Sequence, residues 1–475
     1  MRNSILFPTR RTVLAGLGAL TSTSAVASCY TAGTETKHYD TIIIGAGLSG
    51  LNAARILESE GASLLILEAS DRIGGRMFTL DKVIHKPEAG GLQVGPMYAR
   101  LRSTAMELGV ELEEFAPTPP GMMIHFNGQN TNFQNWGTWE YNPLPENMKK
   151  IPPFALVDSS LPRPNPLSDL DSWLEKEAHQ YDVPLRNYMG QFGDDENIRK
   201  MIDVSLQGTD IDEISVLGEL RKNRIRIFES GNGKSHKIKG GSSRLPEAMA
   251  NSLKADIKNN KKVMKITQQG GKSLVHCRDG SQYSANHIIC TLPFSVLKEV
   301  IFDPGLPPLQ REAVNEIPYL PVTSFFFTTD EPFWEQDNLP PTMWTTSIVE
   351  RIFPLASYDS PELIFWGLIN GNNALEFDKY SRSEQEQLIL NELGRIRPSM
   401  AGKISLQKIH SWTKYAPNKG AWSYWKAGQI IKFGNIYSKA HGNIHFAGEH
   451  TAIFASGMEA AFESGERAAC DILDK

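Results

Sequence analysis

Residues 39–50 read Tyr-Asp-Thr-Ile-Ile-Ile-Gly-Ala-Gly-Leu-Ser-Gly, and Glu68 closes a second apolar run, Ser63–Leu67. The first six residues are an apolar run ending in glycine, which predicts a strand; Leu51–Glu60 has the texture of a helix, and Ser63–Leu67 predicts a second strand. Strand, glycine turn, helix, strand is the opening of an α/β domain that binds a dinucleotide. Gly45, Gly47 and Gly50 satisfy G-x-G-x-x-G, with Leu48 and Ser49 between them. Glycine is needed where the backbone turns tightly and approaches a pyrophosphate, whose charge the helix N-terminus meets. Glu68 falls about 20 residues on, where an acidic side chain accepts hydrogen bonds from a ribose 2′-hydroxyl. An acid rather than a base at this position argues against a 2′-phosphate ligand.

Working outward, the chain has 475 residues, of which 40% are hydrophobic and 22% charged, with a formal net charge of -5. That length exceeds what one hydrophobic core usually serves, so two lobes with a cleft are expected. No global basic field draws such a chain to nucleic acid or acidic lipid. The four cysteines, Cys29, Cys277, Cys290 and Cys470, form no C-x-x-C pair, so neither a metal ribbon nor a redox motif is implied, and no metal site is expected. Between about Pro117 and Pro166 the texture turns to proline, asparagine and tryptophan, the start of an inserted lobe. The segment Gly240–Pro246 and the strand-like runs Lys262–Ile266, Leu274–Arg278 and His287–Thr291 mark a return, and Asn443–Phe446 leads the chain home. The pieces 38–116, 228–300 and 405–475 are therefore assigned to a nucleotide-binding lobe, and 117–227 and 301–404 to a substrate lobe.

Which dinucleotide is bound follows from Glu68-Ala69-Ser70-Asp71-Arg72-Ile73-Gly74-Gly75-Arg76. This run resembles the second FAD-contacting segment of the flavin-containing amine oxidase family, the group of the monoamine, L-amino-acid and polyamine oxidases. Gly75 lets the backbone close on a cofactor, and Arg72 and Arg76 can meet phosphate or ribityl oxygens. Glu88–Pro96, with Gly91 and Leu92, resembles the family segment beside the flavin ring. Phe446–Thr451, with Gly448 and Glu449, resembles its ribityl segment. Ser456–Ala461, with Gly457 and Met458, resembles its closing helix, whose N-terminus would stabilise negative charge on the flavin pyrimidine. Val263 is counted with the cofactor contacts. The resemblance spans about Tyr39 to Ile472 with its motifs in family order.

The resemblance implies an α/β fold: a Rossmann-like lobe holding FAD, interleaved with an α+β substrate lobe. Gly420-Ala421-Trp422-Ser423 matches the segment whose aromatic ring faces the flavin, so Trp422 is the expected catalytic aromatic, and Trp412 falls on the usual upstream tryptophan. Ala421 stands where some members carry a flavin-linked cysteine, so FAD is expected to be non-covalent. A second cage aromatic would fall on Gly457, which makes the cage one-sided. Counting back from Glu331-Pro332-Phe333-Trp334, the family's pocket lysine falls on Ser324, which puts fast reaction with oxygen in question. Arg100 or Arg102 is a candidate to bind a substrate carboxylate, against a default of solvent-facing arginine.

The implied reaction is hydride transfer from the carbon next to an amine nitrogen to FAD, followed by hydrolysis of the imine. Electrons then pass to O2, giving H2O2, or to a periplasmic carrier. An L-amino-acid oxidase and a flavin desaturase or porphyrinogen-type oxidase are the alternatives, and a homodimer is among the assemblies the reading allows. At the N-terminus, residues 1–29 resemble a twin-arginine export signal, with Arg10-Arg11 before a charge-free stretch. Val26-Ala27-Ser28-Cys29 resembles a lipobox, which predicts a periplasmic protein tethered to the membrane through a lipidated Cys29; cleavage without lipid and a disordered tail are the alternatives.

Overall fold

In the computed structural model, which describes residues 37–193, 195–356 and 362–474, the first strand β1 (His38–Ile44) lies inside a parallel array. It pairs with β2 (Leu64–Leu67) on one side and Gln282–Cys290 on the other. Ile42, Ile43 and Ile44 are all buried, which is why β1 ends in three consecutive isoleucines. The eight-stranded sheet runs in the order Ile301–Asp303, Val263–Gln269, Lys272–Cys277, Gln282–Cys290, β1, β2 and Asp256–Lys258, with Ile444–Phe446 paired to Gln282–Cys290. The twin-arginine run and Cys29 lie outside the described residues.

Helix α1 (Leu48–Ser59) starts at Leu48, three residues earlier than the apolar texture indicates, because the glycine turn passes straight into its first turn. It packs on the closing helix, Gly457–Leu473. Here two glycines are needed for space. A Cβ on Gly465 would stand 2.3 Å from the Ser49 carbonyl oxygen, and one on Gly50 would stand 2.1 Å from that of Gly45. Asn52 Nδ2 donates to the Phe462 carbonyl at 3.0 Å, fixing the register of the two helices. Segments more than 400 residues apart in sequence thus meet at the nucleotide end of the sheet.

The second sheet has seven strands, ordered Ile404–Ser411, Val322–Thr329, Leu363–Asn370, Arg351–Ala356, Met343–Thr345, Met123–Phe126 and Gln129–Asn132. Alternation sorts its residues by face. Phe325, Phe327 and Ile369 pack on the helix Arg382–Ile396, while Phe326, Trp366 and Leu368 join the core that holds Trp344, Trp412 and Trp422. Strand Ile404–Ser411 belongs to this sheet, so the chain leaves it after residue 411 rather than 404. Ile301–Asp303 conversely extends the first sheet. Among the described residues no helix is long and apolar enough to cross a membrane.

Gly465→Val is expected to force α1 and the closing helix apart and to destabilise the fold by about 1–3 kcal/mol, the usual range for overpacking. Thermal unfolding checks this: an unchanged midpoint would show that the close approach at Ser49 is dispensable.

Candidate active site

A cleft of about 310 Å³ opens beyond the C-terminal ends of β1 and β2, where a doubly wound sheet binds its ligands. Gly45, Gly47, Leu48 and Ser49 line it from the first turn. Glu68, Ala69, Gly75 and Arg76 line it from the following loop, and Gly91 and Leu92 from the segment after it. Gly448, Glu449, Gly457 and Met458 approach from the C-terminal end of the chain, with Trp422 and Ala421 opposite.

Local geometry explains why these residue types are present. Gly45 has φ +107°, a conformation that suits glycine, and a Cβ there would stand 2.3 Å from Thr291 Oγ1. A Cβ on Gly47 would meet nothing within 4 Å, so this glycine faces open space. Neither α1 nor the closing helix has a side chain capping its N-terminus. Two long helices thus direct unsatisfied N–H groups and positive dipole ends into one cleft, an arrangement that calls for acceptor atoms from a ligand. Glu68 is buried and already accepts from Ala46 N at 2.8 Å, Ser70 N at 2.8 Å and Ser70 Oγ at 2.9 Å. A carboxylate has about four lone-pair sites, which leaves one for a ribose hydroxyl. The buried Asn418 Oδ1 has no protein partner and its residue also lines the cleft. These features fit a dinucleotide with a pyrophosphate at α1 and a carbonyl-bearing ring at the closing helix.

Arg76 and Glu449 organise the wall that carries Trp422. Arg76 Nη1 donates to the Ala421 carbonyl at 2.7 Å and to Glu449 Oε1 at 2.8 Å. Glu449 also accepts from Ser423 N at 3.1 Å and Ser423 Oγ at 3.3 Å. Burial pushes the Glu449 carboxyl up, but the charge of Arg76 and the donors around it outweigh this, so its pKa lies below the ordinary carboxylate value. His450 beside it is held down to about 3 by burial and stays neutral.

Several residues expected at the site stand behind it. Gly50 serves helix packing. Arg72 turns away from the cleft: Nη2 donates to the Gly75 carbonyl at 2.5 Å, Nη1 to those of Ile73 and Met77, and Nε to Tyr415 Oη, with the guanidinium 3.8 Å over the Phe78 ring. It shapes the loop that Gly75 and Arg76 belong to. Trp412 is buried and donates Nε1 to the Ala89 carbonyl at 3.0 Å, bracing the segment ahead of Gly91. Val263 begins a strand and packs in the core with Tyr39 and Ile42. Ser324 is buried in the seven-stranded sheet and accepts from Trp366 Nε1 at 3.0 Å. Arg100 is tied to Glu459 and Glu466 of the closing helix, and Arg102 to the Gly95 carbonyl and His236, so neither lines the cleft.

Tyr98, Thr291, Leu292, Pro293 and Tyr415 line the cleft without having been singled out from the sequence. Thr291 had a signal, since it ends a strand-like run, and the ends of parallel strands carry ligand contacts. Tyr98 had none; burial, then Glu229 and Glu459, push its phenol up to about 12, so it stays protonated.

Residues 48–473 match the model of a family described as flavin containing amine oxidoreductase. A flavin-containing amine oxidase of Oncorhynchus mykiss is 27% identical over 470 residues, covering 93% of this chain and 87% of the relative. Flavin-containing amine oxidase B of Homo sapiens is 25% identical, covering 91% and 86%. Among solved structures, putrescine oxidase bound to putrescine superposes with a TM-score of 0.76 at 22% identity, covering 92% of this chain and 99% of that one. Cyclohexylamine oxidase from Brevibacterium oxydans gives 0.75 at 22% identity, with the same coverage. These superpositions show the fold.

Glu449→Gln is expected to lower stability at neutral pH by about 1.5–3 kcal/mol, the range for hydrogen bonds to a charged group. Because the folded pKa of Glu449 is depressed, its contribution is complete above the unfolded carboxylate value of about 4.3 and is lost as pH falls through the folded value. The gap between the melting midpoints of wild type and variant should therefore narrow only below about pH 4; a gap of constant size across that range would contradict the ion-pair account.

Proposed function

The chain belongs to the flavin containing amine oxidoreductase family, and we propose that it oxidises a neutral amine lodged against Trp422, releasing an imine that water hydrolyses to a carbonyl compound. The observation that carries this reading is the position of Trp422 on the cleft wall, on a segment fixed from both sides by Arg76 and Glu449. FAD, held without a covalent bond, supplies the two-electron acceptor for the carbon–hydrogen bond next to the nitrogen. Ala421 offers no thiol for a covalent link.

The protein's own residues bind, orient and exclude water. The titratable side chains lining the cleft, among the described residues, are Glu68, Arg76, Tyr98, Tyr415 and Glu449. None is a free base: Glu68 is engaged by backbone N–H groups, Glu449 by Arg76 and Ser423, and Tyr98 holds its proton. The amine therefore sheds its own proton before reaction, and the hydrogen on carbon leaves with its electron pair. An α-carboxylate clamp at Arg100 or Arg102 has no support, since both are engaged elsewhere. The acceptor that takes the electrons is O2 or a carrier; Ser324, a neutral hydroxyl already bound to Trp366, favours slow use of O2.

Anaerobic mixing of the purified protein with primary, secondary and poly-amines should bleach the flavin band, and L-amino acids should not. Mixing the reduced protein with air-saturated buffer should then restore the band slowly; recovery as fast as turnover would make O2 the acceptor. The twin-arginine and lipobox-like runs support export and a lipid tether at Cys29. Labelled palmitate is expected to be incorporated and to be lost in Cys29→Ala, and an unmodified mature Cys29 would end that reading.

A further inference from the structure

Direct pairing across the seven-stranded sheet places Ser324 opposite Leu368, Leu368 opposite Arg351, and Arg351 opposite Trp344. Residues paired in this way point to the same face, here the face of the core that includes Trp422. This face is not packed solid. Strand Arg351–Ala356 lies inside the sheet, and its outward residues Ile352 and Pro354 are buried, yet Arg351, Phe353 and Leu355 on the inner face are only partly buried. At one end of this face Leu355 and Ile364 line a second cavity of about 120 Å³, and Leu92 lines both that cavity and the main cleft. The Leu355 end of this inner face therefore borders the space next to the main cleft, and Arg351 stands on the same face at the other end of the strand, outside the lining of both cavities.

Of the cations on this face, Lys408 opposite Phe326 is exposed, whereas Arg351 is half-buried and has donors to spare. Its Nη2 donates to Asn370 Oδ1, and the nearest carboxylate, Glu350, stands 4.0 Å away. Nε has no partner, and 21% of the side-chain surface remains accessible. Glu350 instead accepts from Asn370 N at 2.9 Å and Asn373 Nδ2 at 2.8 Å. Burial pushes the Glu350 carboxyl up to about 8, so at neutral pH it leaves Arg351 largely uncompensated. Burial, opposed by Glu350, also lowers the Arg351 pKa, the mark of a cation short of solvation. Arg397 shows the contrast of a purely structural arginine: Nε and Nη2 reach Asp337, and Nη1 and Nη2 reach the carbonyls of Pro340 and Leu339. A guanidinium grips an anion through its charge and its N–H donors, and Arg351 keeps its charge and the Nη1 donors, which no acceptor among the described residues takes.

We propose that Arg351 is the anion-binding residue of the substrate chamber and that the substrate is an amine carrying a carboxylate or similar anion at the end remote from its nitrogen. The inference rests on the amine-oxidation reading and names its substrate class. Arg351 is not on the wall of the main cleft that carries Trp422, so an α-carboxylate beside the reacting carbon does not fit the same arrangement.

The test compares anaerobic flavin reduction by ω-amino carboxylates of increasing length with reduction by n-alkylamines of matched length. One carboxylate length should exceed its alkylamine in kcat/KM by roughly 10- to 100-fold. Arg351→Gln should remove that preference, and Arg351→Lys, which keeps the charge but not the fork, should retain part of it. Equal rates with both series in the wild type, or a preference that survives in folded, flavin-replete Arg351→Gln, would overturn the proposal while leaving amine oxidation in place. Failure of both series to reduce the flavin would remove the amine reading itself, and this inference with it. Should Arg351→Gln not fold, titration of the wild type with hexanoate decides: a saturable change in the flavin band with competition against the preferred substrate supports the site, and no change with no competition rejects it.

Discussion

The ion pair between Arg76 and Glu449 is the constraint on which the arrangement of this protein turns. Each partner comes from a different motif, and the carbonyl of Ala421 and the amide of Ser423 are bound by the same two side chains. Three segments, one of them more than 300 residues before the other two, are thereby held at fixed spacing around one cleft. Neither side chain is highly exposed, so the pair is little screened by solvent, and removing one partner would leave the other charge partly buried. Glu449 accepts from Arg76 and from both the amide and the hydroxyl of Ser423, and such a network orders the surroundings of a desolvated ion pair. Its consequence for chemistry is the placement of Trp422, whose flanking residues are the ones bound.

The nucleotide end of the fold was legible in the sequence because its chemistry is local. A glycine turn, a helix N-terminus and an acid at the next strand end each need particular residue types within a short span, and Gly45, Gly47 and Glu68 stand where that logic puts them. Arg72 shows where the logic gives out. Its spacing suits a phosphate contact, yet five neighbouring acceptors and rings claim its guanidinium, and no pattern in the chain announces the Tyr415 hydroxyl among them. Tyr98 enters the cleft through tertiary packing alone. The end of the second sheet is hidden in the sequence for a related reason: Ile404–Ser411 reads like any strand, and only its pairing with Val322–Thr329 assigns it to that sheet.

The substrate lobe was less legible because its function rests on a sheet face rather than a motif. Cross-strand neighbours such as Ser324, Leu368 and Arg351 come from separate strands, and a register shift of one residue in any of them would turn its side chain to the opposite core. The two aromatic sets of the strand Val322–Thr329 make this concrete. Phe325 and Phe327 fill the core under the helix Arg382–Ile396, whereas Phe326 joins the core beside the cleft. Because both faces are buried, Val322–Thr329 shows no polar–apolar alternation, and the assignment of Ser324 to one face depends on pairing that the sequence does not reveal.

Backbone geometry gives an independent reason to regard Arg351 as a placed residue. The turn joining Met343–Thr345 to Arg351–Ala356 closes through the bond from Thr345 N to the Glu350 carbonyl at 2.7 Å, and Glu350 takes up φ +44° to make it. A buried non-glycine residue in the left-handed region costs about 1–3 kcal/mol and persists only where its surroundings over-determine it. They do here, since the Glu350 carboxyl oxygens accept from Asn370 N and Asn373 Nδ2. Glycine at this position would relieve the strain, and with it would go the acid that stands near the guanidinium without fully pairing to it. The chain keeps a strained glutamate at the one turn that sets Arg351 opposite Trp344, and the result is a cation held in position on that sheet face with its hydrogen-bonding capacity only partly used.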